Sequence, residues 1–186
     1  MKQILFSILF AGLLLGGCSD INNSTAPAQN GNTVKMFKMP QAVDMSTEAT
    51  FAASSNINGS LGGDLQLSGS YVGTSGVVTI QATLNVPASA YSGEKVLYVA
   101  NSSAYAEIDF NPTLSFDAPV LLNATVSGLD LSDITNPADV YFAYISDDGS
   151  YVEPINCDQI TVDVANGTLS VTNAHLSHFS RYIWAR

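Results

Sequence analysis

The sequence predicts an all-β domain, an antiparallel β-sandwich, preceded by a signal segment and a polar tether. Several short segments alternate strictly between apolar and polar residues, which is the pattern of half-buried strands. Turn sequences such as DDGS (147–150) and Asn166-Gly167 separate these segments. No segment shows a convincing helical period.

The first seventeen residues have the features of a targeting segment. Lys2 gives a positive start, and the apolar run ILFSILFAGLLL (4–15) follows it. A run of twelve residues is too short to cross a bilayer, which needs about 20 apolar residues. We therefore expect residues 1–17 to be a signal peptide.

The apolar run ends in LLGGC, with Cys18 directly after two glycines. This pattern resembles the lipobox of bacterial lipoproteins, in which the thiol receives diacylglycerol, the signal is cut before the cysteine, and the new amino terminus is often acylated, for example with palmitate. Two or more acyl chains make anchoring stable where one does not. The resemblance implies lipidation of Cys18 on the outside of a membrane, and Ser19 after it favours the outer membrane of a two-membrane host. The alternative is an ordinary secretory peptide that ends in a cysteine by chance.

Residues 18–33 are predicted to form a flexible tether. The stretch SDINNSTAPAQNGNT after Cys18 is almost entirely polar, Gly, Pro or Ala, so it cannot bury enough apolar surface to fold. Fifteen such residues reach roughly 20 Å on average.

Residues 34–186 are predicted to form one β domain with a single core. The segments GVVTIQATLNV (76–86) and PVLLNATV (119–126) direct one set of apolar side chains inward, namely Val78, Ile80, Leu84, Val120, Leu122 and Val126. Further strands are predicted at DVYFAYIS, QITVDV, TLSVT and HFSRYIWA. Asn166-Gly167 predicts a two-residue hairpin turn with positive φ at both positions.

This domain resembles the ZU domain of ankyrins, zonula occludens proteins and netrin receptors, and more closely its bacterial surface relatives. The resemblance covers about residues 60–186. It rests on four phrases in the family's order, while the family's Gly-rich opening survives only loosely as LGGDLQLSGSY. The four phrases are GVVTIQATLNVPASAY, IDFNPTLSFDAPVLL, VYFAYISDDGSYVEP and GTLSVTNAHLSHFSRYIWA.

The resemblance also implies a candidate self-cleavage site, because some family members cut their own chain at a His-apolar-Ser step. Carried onto this sequence, the Ser180 hydroxyl would attack the Phe179 carbonyl, the peptide would become an ester, and water would hydrolyse it, with His178 as the base. His175-Leu176-Ser177 is a second, similar triplet.

The structural interpretation of these residues is that they belong to one terminal strand. In an alternating strand, His178, Ser180, Tyr182 and Trp184 share one face, while Phe179, Arg181 and Ile183 share the other. Cleavage after Phe179 would release only SRYIWAR. We therefore predict that His178-Phe179-Ser180 is an intact strand and that the chain is not cut.

Charge and cysteine content limit the function further. Removal of residues 1–17 deletes Lys2 and no acid, which leaves 16 acids against five bases and a net charge of −11. Such a chain repels phosphate backbones, so we expect no nucleic-acid partner. Cys157 has no partner after lipidation of Cys18 and is assigned no function. The sequence predicts no metal site and no cofactor, and the acidic loops SDDGSY and LDLSDITNPAD lack the spacing of a calcium loop.

These observations predict a cell-envelope lipoprotein with no catalytic residues and a structural or binding role. The alternatives are a self-cleaving module at His178-Phe179-Ser180 and an adhesin that binds a protein or a glycan, the latter on a surface lined by tyrosines. The partner is expected to be the membrane through the lipid anchor, together with an unidentified protein or glycan.

Overall fold

The computed structural model describes residues 34–44 and 49–186, and these form one compact unit. The predicted signal peptide, Cys18 and the tether lie outside the described residues. The described chain contains eleven strands and a short 3-10 helix, Pro137–Asp139. The strands are β1 (Ala52–Asn58), β2 (Gly63–Gly73), β3 (Gly76–Val86), β4 (Glu94–Asn101), β5 (Glu107–Asn111), β6 (Ser115–Ser127), β7 (Tyr141–Ile145), β8 (Val152–Pro154), β9 (Gln159–Asp163), β10 (Thr168–His178) and β11 (Arg181–Ala185).

The strands form two antiparallel sheets that pack face to face. The six-stranded sheet has the order β1-β4-β5-β11-β7-β8, and the five-stranded sheet has the order β2-β3-β6-β10-β9. Together they bury one hydrophobic core. The prediction of an all-β antiparallel sandwich is therefore confirmed.

The core contains the inward faces predicted from sequence. All six predicted residues are at most 2 % exposed and belong to the core cluster: Val78, Ile80, Leu84, Val120, Leu122 and Val126. β3 has the predicted bounds, and its residues Ile80 and Leu84 lie opposite Val126 and Leu122 of β6. Burial of this apolar area is the main force that holds the two sheets together.

The first described residues are joined to the last strand. Lys35 and Arg186 exchange two backbone hydrogen bonds, of 2.9 and 3.1 Å. Two residues farther along, Phe37 accepts a 2.8 Å bond from the amide of Ala106, and its side chain is buried in the core. The start of the described chain therefore lies beside β11.

The turn at Asn166-Gly167 differs from the prediction. β9 ends at Asp163 and β10 begins at Thr168, so the loop has four residues rather than two, and only Gly167 of the pair has positive φ. The Asp163 carboxylate accepts hydrogen bonds from the backbone and the side chain of Asn166, at 3.0 and 2.7 Å. A Cβ on Gly167 would lie 2.2 Å from the carbonyl oxygen of Leu129, so this close approach requires glycine.

The prediction that HFSRYIWA forms one strand is wrong. β10 ends at His178 in the five-stranded sheet, and β11 begins at Arg181 in the six-stranded sheet. The chain crosses between the sheets at Phe179 and Ser180, so the predicted alternation of faces fails there. Phe179 accordingly lies in the same core as Tyr182, although the sequence placed these two side chains on opposite faces.

Candidate functional site

The candidate site lies where the chain passes from one sheet to the other. Backbone hydrogen bonds fix both residues of this crossing: the Phe179 amide donates to the Leu114 carbonyl at 2.7 Å, and the Ser180 carbonyl accepts from the Phe110 amide at 3.0 Å. The crossing thus joins the end of β5 and the residue before β6 to the last part of the chain. It is held on two sides rather than exposed as a loop.

Phe179 is a core residue. Its side chain is 1 % exposed and stacks on Phe110, with ring centroids 5.1 Å apart. The ring of Phe116 meets it edge-on, at a centroid distance of 4.9 Å. Both arrangements are favourable for aromatic pairs, so Phe179 closes the core at this end of the sandwich.

His178 is half-buried against two tyrosines. Its ring meets Tyr144 edge-on at a centroid distance of 5.0 Å. The Tyr182 hydroxyl donates to the His178 backbone carbonyl, and burial raises the pKa of that hydroxyl well above its ordinary value. The phenol therefore stays protonated and keeps this hydrogen bond at any physiological pH.

Among the described residues, this crossing shows neither of the two hydrogen-bond contacts that self-cleavage would use. Within residues 34–44 and 49–186, no hydrogen bond joins the His178 imidazole to the Ser180 hydroxyl, and none of the side chains there donates to the Phe179 carbonyl oxygen. Nucleophilic attack needs a base within reach of the hydroxyl and donors that stabilise the oxyanion.

The second triplet, His175-Leu176-Ser177, lies within β10. Leu176 is buried, while His175 and Ser177 are exposed on the opposite face of the strand. Leu176 lies opposite Val120 of β6. His175 and Leu176 therefore belong to the regular pairing of β10 with β6, which shifts in register between Leu176 and His178.

An acid pair lies beside the crossing, with Glu107 buried and Asp109 half-buried, and it was not predicted from the sequence. Glu107 and Asp109 are two residues apart in β5 and point to the same side of the sheet. Arg181 lies directly opposite Asp109 in β11, and its Nη1 atom is 3.5 Å from Oε1 of Glu107. The signal that could have revealed the pair is the acid-x-acid spacing in EIDFN together with the single arginine in the last strand.

Burial dominates the ionisation of this pair. It raises the pKa of Glu107, which is 6 % exposed, and the neighbouring Asp109 carboxylate raises it further. Burial also raises the pKa of Asp109, against the opposing effect of Arg181. The buried Oδ1 of Asp109 has no hydrogen-bond donor among the described residues. Burial therefore favours the protonated form of both carboxyls.

Arg181 links this pair to the β7–β8 turn. Its guanidinium donates to the carbonyl oxygens of Ser146 and Asp147, and its Nε lies 3.8 Å from the Asp147 carboxylate. The side chain is 30 % exposed, so its charge is partly screened by water. Arg181 is thus the only cation within salt-bridge distance of Glu107 in the described part of the chain.

A cavity of about 360 Å³ opens at the same place. Its walls are mostly polar or aromatic side chains, and they include both members of the tyrosine–histidine contact, Arg181 and one member of the acid pair. The lining residues are Asp109, Phe110, Asn111, Thr113, Tyr144, Asp147, His178, Phe179, Ser180 and Arg181. The cavity could hold a small polar group, and its walls offer both donors and acceptors.

Cys157 lies apart from this site. It is a free, half-buried cysteine that packs against the core. Burial, and then the charge of Asp158, raise the pKa of its thiol. A protonated thiol is a weak nucleophile.

The acidic loops are organised by their own hydrogen bonds. Asp148 accepts from the hydroxyls of Ser146 and Ser150, which lowers the pKa of its carboxyl to about 2. Asn136 caps the 3-10 helix by accepting from the amide of Ala138. In the described ranges, no three His, Cys, Asp or Glu side chains are arranged to hold a metal ion.

The comparisons with known proteins found no relative. No protein-family model matches the chain, and neither the curated proteins nor the solved structures include a match to it. Within the described residues, no helix is both long enough and apolar enough to cross a membrane.

Proposed function

We propose that this chain is a cell-envelope lipoprotein, anchored through Cys18, that presents a ZU-like β-sandwich outside the cytoplasm in a non-enzymatic structural or binding role. The observation that carries the proposal is the sequence LLGGC at the end of a twelve-residue apolar run. Lipidation of a cysteine at that place explains why the apolar run is shorter than a membrane span and why a polar tether follows it. In a two-membrane host, Ser19 after the cysteine favours the outer membrane.

The geometry of the crossing supports a role without chemistry. Phe179 is packed among aromatic rings, and His178 contacts Tyr144 rather than Ser180. These contacts give Phe179 a packing role in the core and His178 a packing role against Tyr144. The polar cavity beside Ser180 is the location we assign to a binding role, since it has room for a small polar group of a glycan or a peptide.

Substitution at Cys18 tests the anchor. We expect Cys18→Ser to remove acylation and to leave a protein that is either unprocessed or soluble, because two or more acyl chains hold the processed wild type in the membrane. Metabolic labelling with palmitate and membrane fractionation measure both effects. The matched control is Cys157→Ser, which changes the other cysteine and should stay labelled and membrane-bound. A labelled, membrane-bound Cys18→Ser protein would refute the proposal.

A further inference from the structure

Three exposed valines form an apolar patch, the valine patch, beside the tip of the β2–β3 hairpin. Val72 and Val77 lie directly opposite each other in the two strands, and the Val43 amide donates to the Val72 carbonyl at 3.0 Å. Val72 is 59 % exposed, Val77 is 61 % exposed and Val43 is 64 % exposed. Farther along the same outer face the strands carry polar residues such as Ser70 and Gln81, so the patch is local to this end.

The valine patch lies at the end of the domain where the tether joins. A cavity next to Val34 is lined in part by Asp130 and Ser132. The same two residues line a second cavity together with Ser75, at the hairpin tip, and Val164. Val34, the hairpin tip and the valine patch therefore lie at one end of the sandwich.

Basic residues also concentrate at this end. Lys35, Lys38 and Arg186 line the cavity beside Val34, and they are three of the five bases that follow Cys18. Lys35 and Arg186 both pair with Asp133, which offsets that acid. The cavity therefore carries three bases against two acids, Asp130 and Asp133, in a chain whose net charge after residue 17 is −11.

We propose that the valine patch rests on the lipid surface to which the chain is anchored. The inference rests on the proposed function, since it requires lipidation of Cys18. Fifteen residues separate Cys18 from Val34, and a flexible segment of that length keeps this end of the domain within roughly 20 Å of the acyl chains on average. Exposed apolar side chains at the same end of a domain as basic residues match the boundary between head groups and acyl chains. The contact orients the sandwich with the β2–β3 hairpin tip toward the membrane and the β1–β2 turn away from it.

Fluorescence quenching by lipid tests this orientation. The acylated full chain carrying Val77→Trp is reconstituted in phosphatidylcholine vesicles with plain or brominated acyl chains. The matched control is Leu61→Trp, because Leu61 is 79 % exposed and lies at the other end of β2, about 35 Å away for a strand of eleven residues. Wild-type protein corrects for Trp184, which is fully buried. We expect brominated lipid to reduce the emission of Val77→Trp and to leave that of Leu61→Trp unchanged.

The outcomes separate the inference from the proposed function. A chain that floats with vesicles but shows equal or no quenching at the two positions would overturn the inference and leave the anchor intact. A chain that does not float would overturn the anchor and the inference together. A third outcome is that Val77→Trp is not quenched and that the mass of the protein in detergent rises with protein concentration. This result would show that the valine patch contacts a second copy of this chain, and it would also contradict the inference.

Discussion

Replacing Phe179 with alanine is expected to lower the free energy of unfolding by about 3 to 5 kcal/mol. The ring is 1 % exposed and contacts Phe110 and Phe116 from two directions. The substitution removes buried apolar area and leaves a cavity at the point where the two sheets are joined. It also removes two aromatic pairs, each of which is worth about 0.5 to 1.5 kcal/mol beyond its area.

Urea unfolding measures this loss, and Tyr98→Ala is the matched control. Tyr98 is an aromatic strand residue that is 51 % exposed, so its truncation should cost no more than about 0.5 kcal/mol. Equal losses for the two variants would show that Phe179 does not close the core.

Replacing Arg181 with methionine is expected to destabilise the protein by about 1 to 3 kcal/mol at pH 8 and by less at pH 4. The loss of one partner of a fully buried ion pair costs about 3 to 5 kcal/mol, and the partial exposure of Arg181 reduces that cost. Burial already raises the pKa of Glu107 and of Asp109, and Arg181 opposes this effect. Without the cation both pKa values rise further, so more stability is lost at high pH.

The sign of the pH dependence follows from these shifts. A carboxyl whose pKa is higher in the folded state gives stability that is fully present below its unfolded pKa, about 4, and that is lost as the pH rises through the folded pKa. Glu107→Gln mimics the protonated form, so in the Arg181→Met background it should restore stability at pH 8 and change little at pH 4. Thermal unfolding of the single and double variants at both pH values measures this rescue. A rescue of equal size at both pH values would contradict the titration of the pair.

The inward faces of the sheets could be predicted from sequence because their alternation is uninterrupted. β3 and β6 alternate over long stretches, so Val78, Ile80, Leu122 and Val126 were placed correctly. β1 and β4 were not predicted, and β1 shows why. Ala52, Ser54 and Asn56 are too small or too polar to reveal a strand that exists because it pairs with β4.

The candidate site was harder to predict because it depends on the relation between the two sheets. Period-two alternation describes one strand in one sheet, and it has no means of showing that the chain changes sheets at Phe179 and Ser180. The acid pair depends on the register of β5 against β11, which places Asp109 opposite Arg181. Local sequence shows the spacing of Glu107 and Asp109 but not their burial.

The mass of the intact protein, extracted from membranes and measured under denaturing conditions, tests the central claim most directly. We predict one polypeptide that begins at an acylated Cys18 and still contains Ser180 to Arg186. Denaturation is needed because a cleaved β11 could remain paired between β5 and β7. An unacylated chain would contradict the anchor, and a chain that ends at Phe179 in the wild type but not in Ser180→Ala would show that the crossing is a self-cleavage site.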